Sequence, residues 1–201
     1  MDDKIEYYNT LKQKIIHLGI QIYASISAKG TEKSFDDLFK FTNGYTFKSK
    51  NYSPEGSHKV ITIKNITERG FSAYSADQIE YKDDYKNSVL NIGDILLTMT
   101  GDVGRCGIVD EQNCLLNQRV LKLNSFSPFF TYFTLITYSK DIQNLAKGSV
   151  QQNLGLKELS KFFIPVANEQ EYEEYNSIME QLISISIAQQ KLTELKQLYL
   201  K

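Results

Sequence analysis

Apolar residues step by three and four at both ends of this chain and change period in between. Near the N-terminus, Tyr8, Leu11, Ile15, Leu18, Ile22 and Ser25 follow that spacing, and Gly30 before Thr31 marks the stop. Near the C-terminus, Tyr175, Ile178, Leu182, Ile185, Gln189, Leu192, Lys196 and Tyr199 repeat it, which is the seam pattern of a coiled coil. The start of this second helix is signalled by Pro165, by Asn168 as cap and by Glu171 three residues on, with Glu169 and Glu173 favourable near the positive helix end. A helix over about 168–200 is predicted, roughly 50 Å long at 1.5 Å per residue, far longer than a compact domain of this size needs. Stripes this narrow suit helix partners better than a broad core face. The two terminal helices are therefore expected to pair antiparallel, with each other or with a second copy, and the polar Gln189 and Lys196 to set the register at some cost in stability.

Between the helices, residues 60–64, 89–97, 107–110 and 115–123 are β-branched or alternating stretches bounded by Gly, Asp and Asn, and are predicted as strands. Two helices interrupt them. Ser34 caps a short one carrying Phe35, Leu38 and Phe39, and Ser127 with Pro128 opens an aromatic-rich one over 128–139. The expected organisation is an N-terminal helix over 1–30, one α+β globule with a mixed β-sheet over 31–167, and a C-terminal helix over 168–201.

Composition narrows the class without naming a function. The 201 residues carry 23 Lys plus Arg against 24 Asp plus Glu, with 41% hydrophobic and 12% aromatic residues, which excludes a disordered tail and a bulk-basic nucleic-acid coat. The opening residues lack the basic start and apolar run of a signal peptide, and no stretch approaches 18 uninterrupted apolar residues, so a cytoplasmic protein without membrane contact is expected. Charge is uneven: over 111–167, Arg119, Lys122, Lys140, Lys147, Lys157 and Lys161 face only Glu111, Asp141 and Glu158. This suits a local nucleic-acid face.

No catalytic constellation can be assembled. Phosphate-binding and nucleophile-elbow glycine motifs are missing. His17 and His58 have no zinc-ligand spacing with Cys106 and Cys114, which are expected to be reduced and structural. Asp94 and Asp102 are the only carboxylates placed near a strand end for acid-base work, and turn or capping roles suit both better. What the chain does offer is loops rich in donors. Residues 43–50 interleave aromatics with Lys48 and Lys50 after an Asn-Gly turn, and Lys64-Asn65 closes a strand. Residues 97–105 set hydroxyls and glycine amides beside Arg105, while 117–119 and 147–153 supply Arg and amide side chains able to bond guanine and adenine edges.

Taken in order, the stretches NGYTFKSKNY (43–52), ITIKNIT (61–67), LNIGDILLTMTGDVGRCGIV (90–109), LNQRVLKL (116–123) and KGSVQQNLGLKELSKFFIPVANEQ (147–170) resemble the target-recognition domain of the specificity subunit of type I restriction-modification systems. A full-length subunit of that family holds two recognition domains separated by long antiparallel helices that dock the methyltransferase subunits. This chain resembles half of one, and two copies would restore the plan and read an inverted repeat. The resemblance implies a non-catalytic DNA reader with no cofactor of its own, S-adenosylmethionine being held by the methyltransferase partner. Its partners would be double-stranded DNA, the modification and restriction subunits, and a second copy of itself. Lys48, Lys50, Lys64, Arg105 and Lys147 would mostly contact phosphate, and Thr100, Gln118, Arg119, Gln151 and Gln152 would contact base edges or support the loops. Leu11, Ile15, Leu18, Ile22, Ile178, Leu182, Ile185 and Leu192 would form the dimer or partner seam of the helices. Two other readings compete: a protein-interaction scaffold, suited by the aromatic helix over 128–139, and a component of a fused restriction enzyme.

Overall fold

A computed structural model describes residues 2–147 and 152–199. In chain order the elements are α1 (Asp2–Ser27), β1 (Thr31–Ser34), α2 (Phe35–Leu38), β2 (Lys40–Asn43), β3 (His58–Ile61), β4 (Ile66–Thr67), β5 (Gly70–Phe71), β6 (Asp77–Ile79), β7 (Val89–Leu90), β8 (Ile95–Thr98), β9 (Cys106–Ile108), β10 (Cys114–Leu116) and β11 (Val120–Asn124). There follow α3 (Pro128–Thr137), α4 (Ser139–Asn144), α5 (Leu156–Ser160), β12 (Phe163–Val166), α6 (Glu169–Glu173) and α7 (Asn176–Tyr199). The class is α+β, as expected. Instead of one mixed sheet the described residues form two four-stranded ones, β2-β11-β8-β9, antiparallel throughout, and β6-β3-β10-β7, in which β3 and β10 run parallel, together with two antiparallel two-stranded ones, β1-β12 and β4-β5.

The predicted strands over 89–97 and 115–123 each break in two because their halves serve different sheets. Asn91 N donates to Asp94 Oδ2 at 2.9 Å across the first break, and Asn117 to Arg119 form the second. The strand predicted over 60–64 ends at Ile61, where Thr62 and Asn65 cap one another around a 3₁₀ turn. The two-residue period then lays down layers. Ile95, Leu97, Leu121 and Leu123 face the helices, while Leu96 and Val120 face the second sheet with Ile61, Cys114 and Leu116. On the far side of that sheet, Val60, Ile79, Tyr85 and Leu115 form a smaller cluster.

The helical layer centres on α3, opened by Ser127 as predicted: its Oγ accepts from Phe130 N at 3.1 Å. Phe129, Phe130 and Phe133 are completely buried. Tyr23 of α1 and Tyr172 of α6 join them, their phenols bonded to Thr134 Oγ1 at 2.9 Å and to Ser27 Oγ at 3.0 Å. The C-terminal helix predicted as continuous over 168–200 is interrupted after α6. Asn176, at the break, instead uses its Oδ1 to accept from Ser127 Oγ at 2.7 Å and from Phe129 N at 3.2 Å. Asn168 does cap α6, accepting from Gln170 N.

The terminal helices lie antiparallel. Lys196 pairs with Asp2, Gln189 Nε2 donates to Asn9 Oδ1 at 2.6 Å, and Lys12 Nζ donates to Ser186 Oγ at 2.8 Å, so each step forward along α1 is matched by an equal step back along α7. Of the predicted seam, Ile178 and Leu182 are buried and Leu11, Ile15, Ile22, Ile185 and Leu192 are half-buried, but Leu18 is 52% exposed. Within this chain the inward face of α1 runs instead through Lys12, Ile16, Gly19, Tyr23 and Ile26. The reason is Gly19: a Cβ there would meet Phe133 at 2.1 Å, so the helix turns its one gap toward the ring. Among the described residues no helix is long and apolar enough to cross a membrane.

Candidate nucleic-acid interface

Strand register places the C-terminal ends of β2 and β8 and the N-terminal end of β11 on one edge, with Asn43 opposite Leu121 and Thr98 opposite Val120. The loops leaving that edge are bonded to one another through their main chains. Gly44 carries the chain directly onto the β10–β11 turn: Tyr45 N donates to Leu116 O at 2.8 Å, and Gln118 N donates to Tyr45 O at 3.1 Å. The buried Asn117 holds that turn, its N donating to Ile61 O at 3.0 Å and its Oδ1 accepting from Arg119 N at 3.2 Å. Met99 N donates to Arg119 O at 3.1 Å; Leu154 N donates to Met99 O at 2.8 Å and Gly101 N to Gln152 O at 3.0 Å. The hairpin between β8 and β9 turns on left-handed Gly101 and Gly104 and is tied from inside by the buried Thr98, whose Oγ1 donates to Asp102 O at 2.5 Å and accepts from Arg105 N at 3.1 Å.

This network brings together Thr100, Gln118, Arg119 and Gln152 of the predicted set. Gln118, Arg119 and Gln152 are exposed, and Thr100 is half-buried. Ile63 lies against Gly101, so the exposed Lys64 belongs to the neighbouring turn. Arg119 forms no side-chain hydrogen bond or ion pair among the described residues, which leaves its guanidinium fork open to a planar acceptor pair. Lys48 and Lys50 stand exposed on the next turn, beyond a cluster of Tyr45, Phe47 and Tyr85 with ring centroids 5.0 to 5.1 Å apart.

Two predicted contacts are otherwise engaged, and one cannot be placed. Arg105 turns to Asp102 at 2.7 Å and Glu68 at 3.7 Å, lining a cleft of about 570 Å³ with Lys12, Arg69 and Tyr132. Lys147 pairs with Glu158 at 2.7 Å, bracing the loop that its main chain closes with Asn153. Gln151 lies outside the described residues. Thr98, Asn117 and Thr46 fall within the donor-rich loops read from the sequence, but their role in organising those loops is not legible there: Thr46 meets a partner 72 positions away, and Thr98 and Asn117 bond the main chain of turns whose shape the residue pattern does not specify.

The carboxylates and thiols near this region are structural in their contacts. Asp94 pairs with Lys122 at 3.2 Å, both side chains less than 16% exposed, and Asp102 pairs with Arg105. Burial pushes the Cys106 and Cys114 thiols up to about 12, far from a reactive thiolate. Between the globule and the helical pair lies a second cleft. There burial lowers the Lys12 ammonium and raises the Asp110 carboxyl to about 6 despite the attraction of Lys12, while Glu111 pairs with Lys59 and accepts from Gln190 Nε2 at 2.8 Å.

Solved structures share this fold. The S subunit of a type I restriction-modification system from M. genitalium superposes with TM-score 0.54 at 20% identity, covering 84% of this chain and 41% of that one. The HsdS subunit from Thermoanaerobacter tengcongensis gives TM-score 0.55 at 14% identity over 94% and 49%. A chain from a type I R-M system studied for its complex assembly and conformational transition gives 0.58 at 13% over 98% and 53%. The present chain thus spans about half the length of these structures. A comparison with curated proteins returns no match. Residues 29–197 match the family described as the type I restriction modification DNA specificity domain, and the chain belongs to that family.

Proposed function

We propose that each copy of this chain reads one half-site of double-stranded DNA through the bonded loop cluster, and that residues 31–167 act as the recognition domain. Base contacts fall to Arg119, Gln118, Thr100 and the 151–152 amides; phosphate contacts fall to Lys48, Lys50 and Lys64, with Arg105 and Lys147 joining them on exchange of their ion pairs. The observation that carries this reading is that main-chain hydrogen bonds tie Tyr45, Leu116, Gln118, Met99, Arg119, Gly101, Gln152 and Leu154 together while the side chains of Gln118, Arg119 and Gln152 are exposed, the arrangement that lets donors meet base edges without reorganisation. The chain has no catalytic step of its own in this account. It docks methyltransferase and restriction subunits, and S-adenosylmethionine is bound by the methyltransferase.

The helices α1 and α7 form an antiparallel coiled coil that also pairs two copies into a dimer, so that the dimer reads an inverted repeat. Support comes from the exposed Tyr7, Leu18, Leu195, Leu198 and Tyr199 on the helical pair. The scaffold reading loses its motive, since the aromatic rings of α3 that suggested it are interior.

Binding titrations at two salt concentrations test the assignment. Arg119→Ala is expected to cost about 1–3 kcal/mol on the cognate duplex and little on a scrambled one. Lys50→Ala is expected to weaken both alike and to lower the salt slope by about one. Equal losses for Arg119→Ala on both duplexes remove it from the base readers.

A further inference from the structure

Gln118 and Thr46 are 72 positions apart in sequence and adjacent in the fold. The approach depends on Gly44, since a Cβ there would meet the Asn117 carbonyl carbon and oxygen at 2.3 Å. With no side chain in the way, the two main-chain bonds of Tyr45 lock the loop onto the β10–β11 turn. Thr46 then falls beside Gln118, and its Oγ1 donates to Gln118 Oε1 at 2.6 Å. Both residues are exposed.

A primary amide carries one acceptor oxygen and two N–H donors. The bidentate contact that makes Gln a reader of adenine uses both kinds, the oxygen accepting from N6 while the nitrogen donates to N7. In this loop one lone pair of the oxygen is engaged by a hydroxyl on the protein side. The amide is left with both Nε2 hydrogens and a single remaining lone pair, so its free edge is weighted toward donation.

We propose that Thr46 is a positioning residue that holds the Gln118 amide with its donors toward the major groove, so that the base Gln118 reads is guanine rather than adenine. Guanine presents two neighbouring acceptors there, N7 and O6; adenine sets its own N6 donor against the amide beside a single acceptor, and cytosine offers only a donor. The tether also removes rotamer freedom from an exposed, flexible side chain before DNA arrives, so the ordering cost falls on folding and not on binding. This inference rests on the DNA-reading function proposed above and assigns chemistry to one position within it.

The test compares wild type, Gln118→Ala, Thr46→Val and Thr46→Ser, each purified in complex with the methyltransferase subunit. Each complex is incubated with a pool of duplexes randomised over the target, and the bound fraction is sequenced. Wild type is expected to favour guanine over adenine at one position by roughly three- to tenfold, the scale of a single added hydrogen bond. Gln118→Ala makes that position indifferent. Thr46→Val, which keeps the shape and removes the hydroxyl, frees the amide to rotate, so adenine is accepted there at least as well as guanine. Thr46→Ser restores guanine, and preferences at the other positions stay as in wild type throughout.

The inference is overturned if Thr46→Val leaves the guanine preference intact, if Thr46→Ser fails to restore it, or if the position that Gln118→Ala flattens is not guanine in wild type. A selection in which wild type enriches nothing counts against the DNA-reading function itself. Enrichment that ignores Gln118 overturns this assignment and leaves that function standing.

Discussion

The packing beneath α3 and the loop cluster at the edge of β2, β8 and β11 are held in opposite ways. Under α3 the side chains are fixed: Phe129, Phe130 and Phe133 are completely buried, and Phe133 fills the gap left by Gly19. In the loop cluster the main chain is fixed, through Tyr45, Asn117, Met99 and Leu154, and the side chains of Arg119 and Gln152 point away from that frame. The difference separates two consequences of mutation. A change in the first region is felt as lost folding free energy, whereas under the proposed function a change on the outer face of the second is expected to alter what is recognised and leave the fold alone.

The largest effect should come from Phe133→Ala. Removing this ring leaves a cavity against α1, with an expected loss of about 3–5 kcal/mol in urea unfolding. A loss below that of an ordinary surface substitution would break the comparison on its core side. Gly44→Ala attacks the main chain of the loop cluster, since the atoms that obstruct the new methyl belong to the Leu116 and Asn117 backbone. It should cost about 1–3 kcal/mol of stability and, unlike a core mutation of equal cost, abolish discrimination between cognate and scrambled duplexes. Arg119→Ala sharpens the contrast from the other side, with stability within about 0.5 kcal/mol of wild type alongside its loss of cognate affinity.

The interface between globule and helical pair falls between these extremes, because it is buried and polar. The folded-state pKa of Asp110, about 6, lies above the ordinary 3.8, so the folded chain holds this proton more tightly than the unfolded one. Its contribution to stability is complete below 3.8 and is lost as pH rises through about 6. Asp110→Asn should therefore flatten the stability profile across that window, read by denaturant midpoints at a series of pH values. A profile as steep as wild type would show that another group sets it.

The legible parts of the molecule are those specified locally. Ser127-Pro128 announced α3, Ser34 announced α2, and the heptad-like spacing announced both terminal helices. The splitting of 89–97 and 115–123 left a local trace, Asn91-Ile92-Gly93-Asp94 in the first and Asn117-Gln118-Arg119 in the second, but the apolar half-strands on either side do not record a change of sheet. The rotation of α1 that exposes Leu18 was hidden too, since periodicity counts apolar positions and Gly19 contributes by having no side chain at all. At the candidate site, the donor-rich loops of the sequence hold Gln118, Arg119, Thr100 and Gln152, which the fold brings to one edge. The engagement of Arg105 by Glu68 and of Lys147 by Glu158 depends on acids that only folding brings near.

The most direct test of the account is to map methylated sites in cells carrying the chain and its methyltransferase, comparing wild type with Arg119→Ala. The account predicts a defined wild-type target sequence, and in the variant a relaxed or lost requirement for one base with the complex still assembled. An unchanged target sequence in Arg119→Ala, or methylation by wild type without sequence preference, would contradict the claim that this loop cluster reads DNA.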